Sequence, residues 1–173
     1  MPPLPPYDLL CRAKLDVRTV GITGKTVTGA HGIAVTAQLS PRDVKGKIDA
    51  LILPGGMPGA KNLDNSSDVD RLIEQTVADG GPLAAICAAP MVLGHRGFLA
   101  GKRAVCFPGF ESELTGAIRT ENRVETDGKV TTAVGMGAAY EFGLALIACL
   151  LGRAAAETVK RSALIPDGVT IPD

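Results

Sequence analysis

Leu83-Ala84-Ala85-Ile86-Cys87-Ala88-Ala89-Pro90 decides the fold. Pro82 to Ile86 reads as an apolar strand, and it runs straight into a cysteine. A helix over Ala88 to Arg96 follows at once, with Pro90 accommodated in its first turn. A strand-to-helix turn this sharp crowds the residues two before and two after the nucleophile, so both must be small. Ala85 and Ala89 are small. The turn would place the Cys87 sulfur at the carboxyl end of a sheet, where open α/β sheets bind ligands. The helix amino terminus would favour thiolate there. The same residues also describe a buried core cysteine in an Ala-rich segment, because free cysteine is among the most buried residue types.

Working outward, Asp49 to Leu53 is a second short apolar strand, of the kind covered on both faces. It ends in the loop Pro54-Gly55-Gly56. Ser67 to Asp79 has helical periodicity, with Val69, Leu72, Ile73 and Val77 sharing a face and Gly80-Gly81 stopping it. Arg103 to Cys106 and Val130 to Val134 read as strands. Gly137 to Leu151 is a nearly all-apolar helix that must be deeply buried, and Ala154 to Arg161 is a closing helix. Toward the amino end, Tyr7 to Lys14 is a helix with Leu9, Leu10 and Ala13 on one side. Asp16 to Ile22 alternates as a strand, and Thr26 to Ala37 folds as a hairpin around Gly29-Ala30-His31-Gly32. Strands alternating with helices predict an α/β sandwich around a mainly parallel sheet. With no repeat or linker, residues 1–173 read as a single domain.

Composition narrows the function. Eighteen Lys and Arg balance eighteen Asp and Glu, so electrostatic capture of nucleic acid or an anionic membrane is not expected. Four Phe, two Tyr and no Trp leave little for a base-stacking platform. The longest apolar run, Phe142 to Gly152, falls short of the ~18 residues of a membrane span. Met1 to Pro6 lacks the basic and apolar regions of a signal peptide, so a reducing cytoplasm is the expected compartment. Cysteines at 11, 87, 106 and 149 show no CxxC or Cys/His ligand spacing. No phosphate loop or carboxylate pair appears, so neither cofactor nor metal is expected.

Taken together, Leu53-Pro54-Gly55-Gly56-Met57-Pro58-Gly59 and Ala85-Ile86-Cys87-Ala88-Ala89-Pro90 resemble the ThiJ/PfpI family, the superfamily of the parkinsonism-associated deglycase. Thr28-Gly29-Ala30-His31-Gly32-Ile33, Cys106-Phe107-Pro108-Gly109-Phe110-Glu111 and Gly135-Met136-Gly137 before Glu141-Phe142 extend the likeness over nearly the whole chain. The resemblance implies a flavodoxin-like three-layer α/β sandwich, like that of class I glutamine amidotransferases, and a homodimer. It implies that Cys87 is the reactive cysteine of a nucleophile elbow. It also implies that Gly56 and Ala88 supply backbone N–H groups for an oxyanion pocket, with Gly55 in the adjoining turn.

The sequence departs from the family in three places. The family opens with a strand and a glutamate that hydrogen-bonds the reactive sulfur; counting back from Pro6 puts that glutamate at Pro2. The chain thus reads as beginning after the opening strand. That strand is expected in the middle of the sheet beside the nucleophile strand, leaving a gap. The family's basic residue is replaced by Val134, and a histidine of some members by Phe107. His31 is the one replacement candidate, either a solvent-facing turn residue or a group reaching a partner's site. Arg12 is either an anion-holding residue or a solvated helix arginine. Cys106 is either strand filler or a thiol partner of Cys87. Cys11 and Cys149 read as packing, Glu111 and Glu113 as surface charges, and His95 as a helix-end cation without chemistry.

Two functions follow from the resemblance. In one, Cys87 attacks a small electrophilic metabolite such as a glyoxal, in a glyoxalase- or deglycase-like reaction, or serves as an oxidative-stress thiol. In the other, the chain is a non-catalytic stress or chaperone-like dimer that keeps the fold without turnover. A glutamine amidotransferase would need a Cys-His-Glu triad, which these residues do not assemble.

Overall fold

The short apolar runs become strands, and the periodic segments between them become the helices that cover them. In the computed structural model, which describes residues 4–172, helix α1 (Leu4–Arg12) leads to the hairpin of β1 (Thr26–Thr28) and β2 (Ala34–Thr36). Then follow β3 (Leu51–Leu53), α2 (Gly59–Asp64), α3 (Ser67–Ala78), β4 (Leu83–Ile86), α4 (Pro90–His95), β5 (Arg103–Ala104) and β6 (Ile118–Arg119). The chain closes with β7 (Val124–Asp127), β8 (Val130–Ala133), α5 (Ala139–Leu151) and α6 (Arg153–Ser162).

The central sheet has the order β3-β4-β8-β7. Its first three strands are parallel, and β7 runs antiparallel to β8. Successive side chains of β4 point to opposite faces. Ala84 and Ile86 join a core with Leu9 and Leu10 of α1, Phe142 and Leu146 of α5 and Val159 of α6. Leu83 and Ala85 join a second core with Val69 and Ile73 of α3 and Val92 and Leu93 of α4. The result is the expected three-layer α/β sandwich. The helix expected over Gly137 to Leu151 begins at Ala139, after a 3-10 turn over Met136–Ala138; it is deeply buried from Glu141 to Ile147, whereas Tyr140, Cys149 and Leu151 are exposed. Gly143 lets α1 lie directly on α5: a β-carbon there would stand 2.8 Å from Leu9 Cδ1.

Several expectations are corrected. Asp16 to Ile22 alternates like a strand but forms only one isolated bridge, Val20 to Leu39. Alternation makes a strand only when a neighbour supplies ladder bonds and cross-strand contacts; here the ladder is this single bridge, beside which Thr19 and Gln38 exchange bonds between backbone N–H and side-chain oxygen. An opening strand beside β4 is excluded, because β3 and β8 take both its edges. Pro2 lies outside the described residues. In α3, Thr76 is buried and Val77 is 45% exposed. Seven residues bring the helix back to nearly the same direction as Val69, whereas eight overshoot by most of a quarter turn. The Thr76 hydroxyl donates to the Leu72 carbonyl at 2.7 Å, so its burial leaves nothing unpaired. The strand ending in Cys106 stops at Ala104, since the Val105 N–H donates to the Thr132 hydroxyl at 3.0 Å instead of to a ladder. Cys149 is exposed and Cys11 half-buried, so Cys149 is not a packing residue.

Candidate active site around Cys87

The parallel strand β4 ends at Ile86, and the chain must reverse direction within Cys87-Ala88-Ala89 before α4 begins at Pro90. The helix thus starts two residues later than its sequence pattern suggests. Cys87 takes up the reversal with a φ of 66°, in the left-handed region that a β-carbon disfavours by about 1–3 kcal/mol. Two hydrogen bonds hold it there. The Cys87 N–H donates to the Ala133 carbonyl at 2.9 Å, and its carbonyl accepts from the Phe107 N–H at 2.8 Å. Its side chain is half-buried, between core and solvent.

The loop after β3 closes on this elbow. A β-carbon on Gly55 would stand 2.5 Å from Cys87 Cβ and 3.1 Å from the Ala88 nitrogen, so only glycine fits. Gly56 follows with a φ of 90°, and its carbonyl accepts the Ala60 N–H at 2.8 Å to start α2. Among the described residues, the N–H groups of Gly56 and Ala88 donate no backbone hydrogen bond.

The third wall comes from the segment after β5. Cys106 is buried there, and its thiol is pushed up to about 11, chiefly by burial and further by the Glu111 carboxylate. Phe107, next in the chain, is 47% exposed, and its ring lies over Gly135, where a β-carbon would meet Cδ2 at 3.4 Å.

Cys87, Gly55, Ala88 and the Cys106-Phe107 step are thus brought together at the carboxyl ends of the strands. His31 is exposed at the hairpin tip, where Gly29 N–H bonds the Ile33 carbonyl at 2.9 Å. Within the described residues no hydrogen bond joins it to Cys87. Arg12 is exposed at the end of α1, and its Nε donates to Asp8 Oδ2 at 2.7 Å, one helical turn back.

One constellation escapes the sequence. His95, which ends α4, places Nδ1 2.9 Å from Asp64 Oδ2 and Nε2 2.8 Å from Glu113 Oε2. Arg96 adds bonds to Asp64 Oδ1 at 2.7 Å and Asp70 Oδ1 at 2.6 Å. Glu113, read from sequence as a surface charge, is an ion-pair partner. These groups come from four separated segments, so no local spacing announces them.

Comparison with known proteins fits this geometry. Residues 4–149 match the sequence profile of the DJ-1/PfpI family. The chain is 36% identical over 157 residues to Protein DJ-1 homolog B of Arabidopsis thaliana, covering 88% of this chain and 36% of that protein. It therefore spans about a third of that relative's length. It is 33% identical over 148 residues to the glutathione-independent glyoxalase DJR-1.2 of Caenorhabditis elegans, covering 84% of this chain and 78% of that one. The structure of Toxoplasma gondii DJ-1, oxidized, superposes with a TM-score of 0.87 at 32% identity, over 93% of this chain and 89% of that one. The shared arrangement is the flavodoxin-like fold. Among the described residues no helix is long and apolar enough to cross a membrane.

Proposed function

The chain belongs to the DJ-1/PfpI family, and on that premise we propose that Cys87 is a nucleophile toward small reactive aldehydes of the glyoxal class. The carrying observation is the elbow itself: Cys87 held at a φ of 66° at the end of a parallel strand, with the Gly55 loop against it. The thiolate sulfur adds to the aldehyde carbon, the carbonyl π pair moves to oxygen, and that oxygen takes a proton from solvent water to give the hemithioacetal. The N–H groups of Gly56 and Ala88 are the donors assigned to that developing oxyanion. The name of the C. elegans relative supports a glyoxalase-type role. The homodimer implied by the resemblance is part of the same reading; a monomeric mass by light scattering at micromolar concentration would count against it.

A second reading is favoured by one observation. Among the described residues no side chain hydrogen-bonds the Cys87 sulfur. In this reading Cys87 is an oxidative-stress thiol in a non-catalytic dimer, oxidised first to the sulfenic and then to the sulfinic acid. Methylglyoxal consumption by the wild-type chain and by Cys87→Ser separates the two. The aldehyde reading expects consumption by the wild type alone. No consumption, with peroxide modification concentrated at Cys87, selects the stress thiol; equal consumption by both proteins overturns both.

A further inference from the structure

We propose that His95, in its doubly protonated form, is a positioning residue for the Cys87 site that ties together the three segments walling the elbow. Each partner of His95 stands at the far end of a segment whose near end touches Cys87. The Gly55-Gly56 loop leads into α2, which ends at Asp64. The Cys87 elbow leads into α4, which ends at His95 itself. The Cys106-Phe107 step, whose N–H holds the Cys87 carbonyl, leads into the 3-10 turn over Glu111–Glu113.

The protonation state follows from the geometry. A neutral imidazole carries one N–H and donates to one acceptor only. Both ring nitrogens of His95 lie within 2.9 Å of a carboxylate oxygen, so with Asp64 and Glu113 both ionised the two bonds exist together only in the imidazolium. The ionisable groups around it are Asp64 from α2, Glu113 from the turn and Arg96 beside it in the chain. Arg96 takes the second oxygen of Asp64 and reaches Asp70 of α3. Strand β4, which also packs on α4, carries no ionisable side chain. The Glu113 hydrogen bond raises the His95 pKa, burial opposes it, and Asp64 raises it further. A histidine raised in the folded state keeps its link fully below the ordinary value of about 6.5. It loses that link as pH rises through the folded value. One of the two carboxylates is then left without its donor. His95 is 33% exposed, so solvent screens the pair and the effect falls on local order.

The inference goes beyond the aldehyde reading, and its test needs no aldehyde. Three measurements are made on the wild type, His95→Asn and Glu113→Gln. The first is the His95 ring titration by NMR. The second is amide exchange over residues 107–116, corrected for intrinsic rates, as a function of pH. The third is Cys87 labelling by iodoacetamide across the same pH range. The expected wild-type result is a His95 midpoint above that of free histidine, falling toward it in Glu113→Gln. Protection of 107–116 should drop by about two- to fivefold as pH passes the midpoint. In His95→Asn the protection should already be low and independent of His95's pH range, with the Cys87 labelling profile shifted from wild type. Three results would each overturn the proposal: an ordinary His95 midpoint, wild-type protection unchanged through the titration, or identical Cys87 labelling profiles in wild type and both variants.

Discussion

Gly55 lies so close to Cys87 that a β-carbon on the glycine would stand 2.5 Å from the cysteine's own Cβ and 2.5 Å from the Ile86 carbonyl oxygen. Both atoms belong to the end of β4 and the elbow, which hydrogen bonds fix from two sides. The glycine loop is therefore the part that must give way to any side chain.

Gly55→Ala should displace that loop and destabilise the protein by about 1–3 kcal/mol, the usual range for overpacking a tight site. The Gly56 N–H would move with it. Urea unfolding and methylglyoxal consumption, measured together, check this; a variant equal to wild type in both would mean the loop adapts freely.

The backbone strain at Cys87 separates two ways of removing the thiol. Cys87→Ala keeps a β-carbon at a φ of 66°, whereas Cys87→Gly does not. Glycine adopts this region without penalty, so Cys87→Gly should be the more stable of the two by about 1 kcal/mol. Neither should consume methylglyoxal. Thermal melts decide it, and a more stable alanine variant would contradict the strain argument.

Glu125 sets an acid limit on stability. It is buried, and burial works to raise its pKa. Arg103 at 2.8 Å, Asn122 at 2.7 Å and Thr120 at 2.9 Å overcome that and hold it below the ordinary carboxylate value. A depressed folded-state carboxyl stabilises the protein above its unfolded pKa, about 4.3. That contribution fades as pH falls through the folded value. The urea midpoint should therefore drop on acidification below about pH 4, and drop less steeply in Glu125→Gln. Parallel curves for the two proteins would remove Glu125 from the account.

Phe142 is fully buried on α5, in the core shared with Leu9 and Leu10. Phe142→Ala should cost about 3–5 kcal/mol. Cys87 packs against this same core, so in any protein that stays folded the cavity should also change the rate at which Cys87 labels. Denaturation together with iodoacetamide kinetics tests both halves.

The layered architecture was legible because it rests on local patterns. Apolar runs such as Leu83 to Ile86, and the 3.6-residue period of Val69, Leu72 and Ile73, repeat within a few residues, and a solvent-excluding core leaves them few alternatives. Cys87 was legible for a similar reason: a strand, a cysteine and small neighbours are contiguous. Asp16 to Ile22 carries an equally local alternation without becoming a strand, because a strand exists only when another chain segment bonds to it.

The sequence by itself thus determined the three-layer α/β class, the burial of α5, the hairpin and the place of Cys87 in a sharp turn. Each depends on neighbours no more than about ten residues apart. Tertiary structure alone decided that β3 and β8 occupy both edges of β4, that the Gly55 loop presses on the elbow, and that Cys106 is buried, with its thiol pKa raised. It alone joined His95 to Asp64 and Glu113, 31 and 18 residues away. Such pairings depend on where whole elements pack, because a hydrogen bond or ion pair acts over only a few ångströms and is blind to separation along the chain.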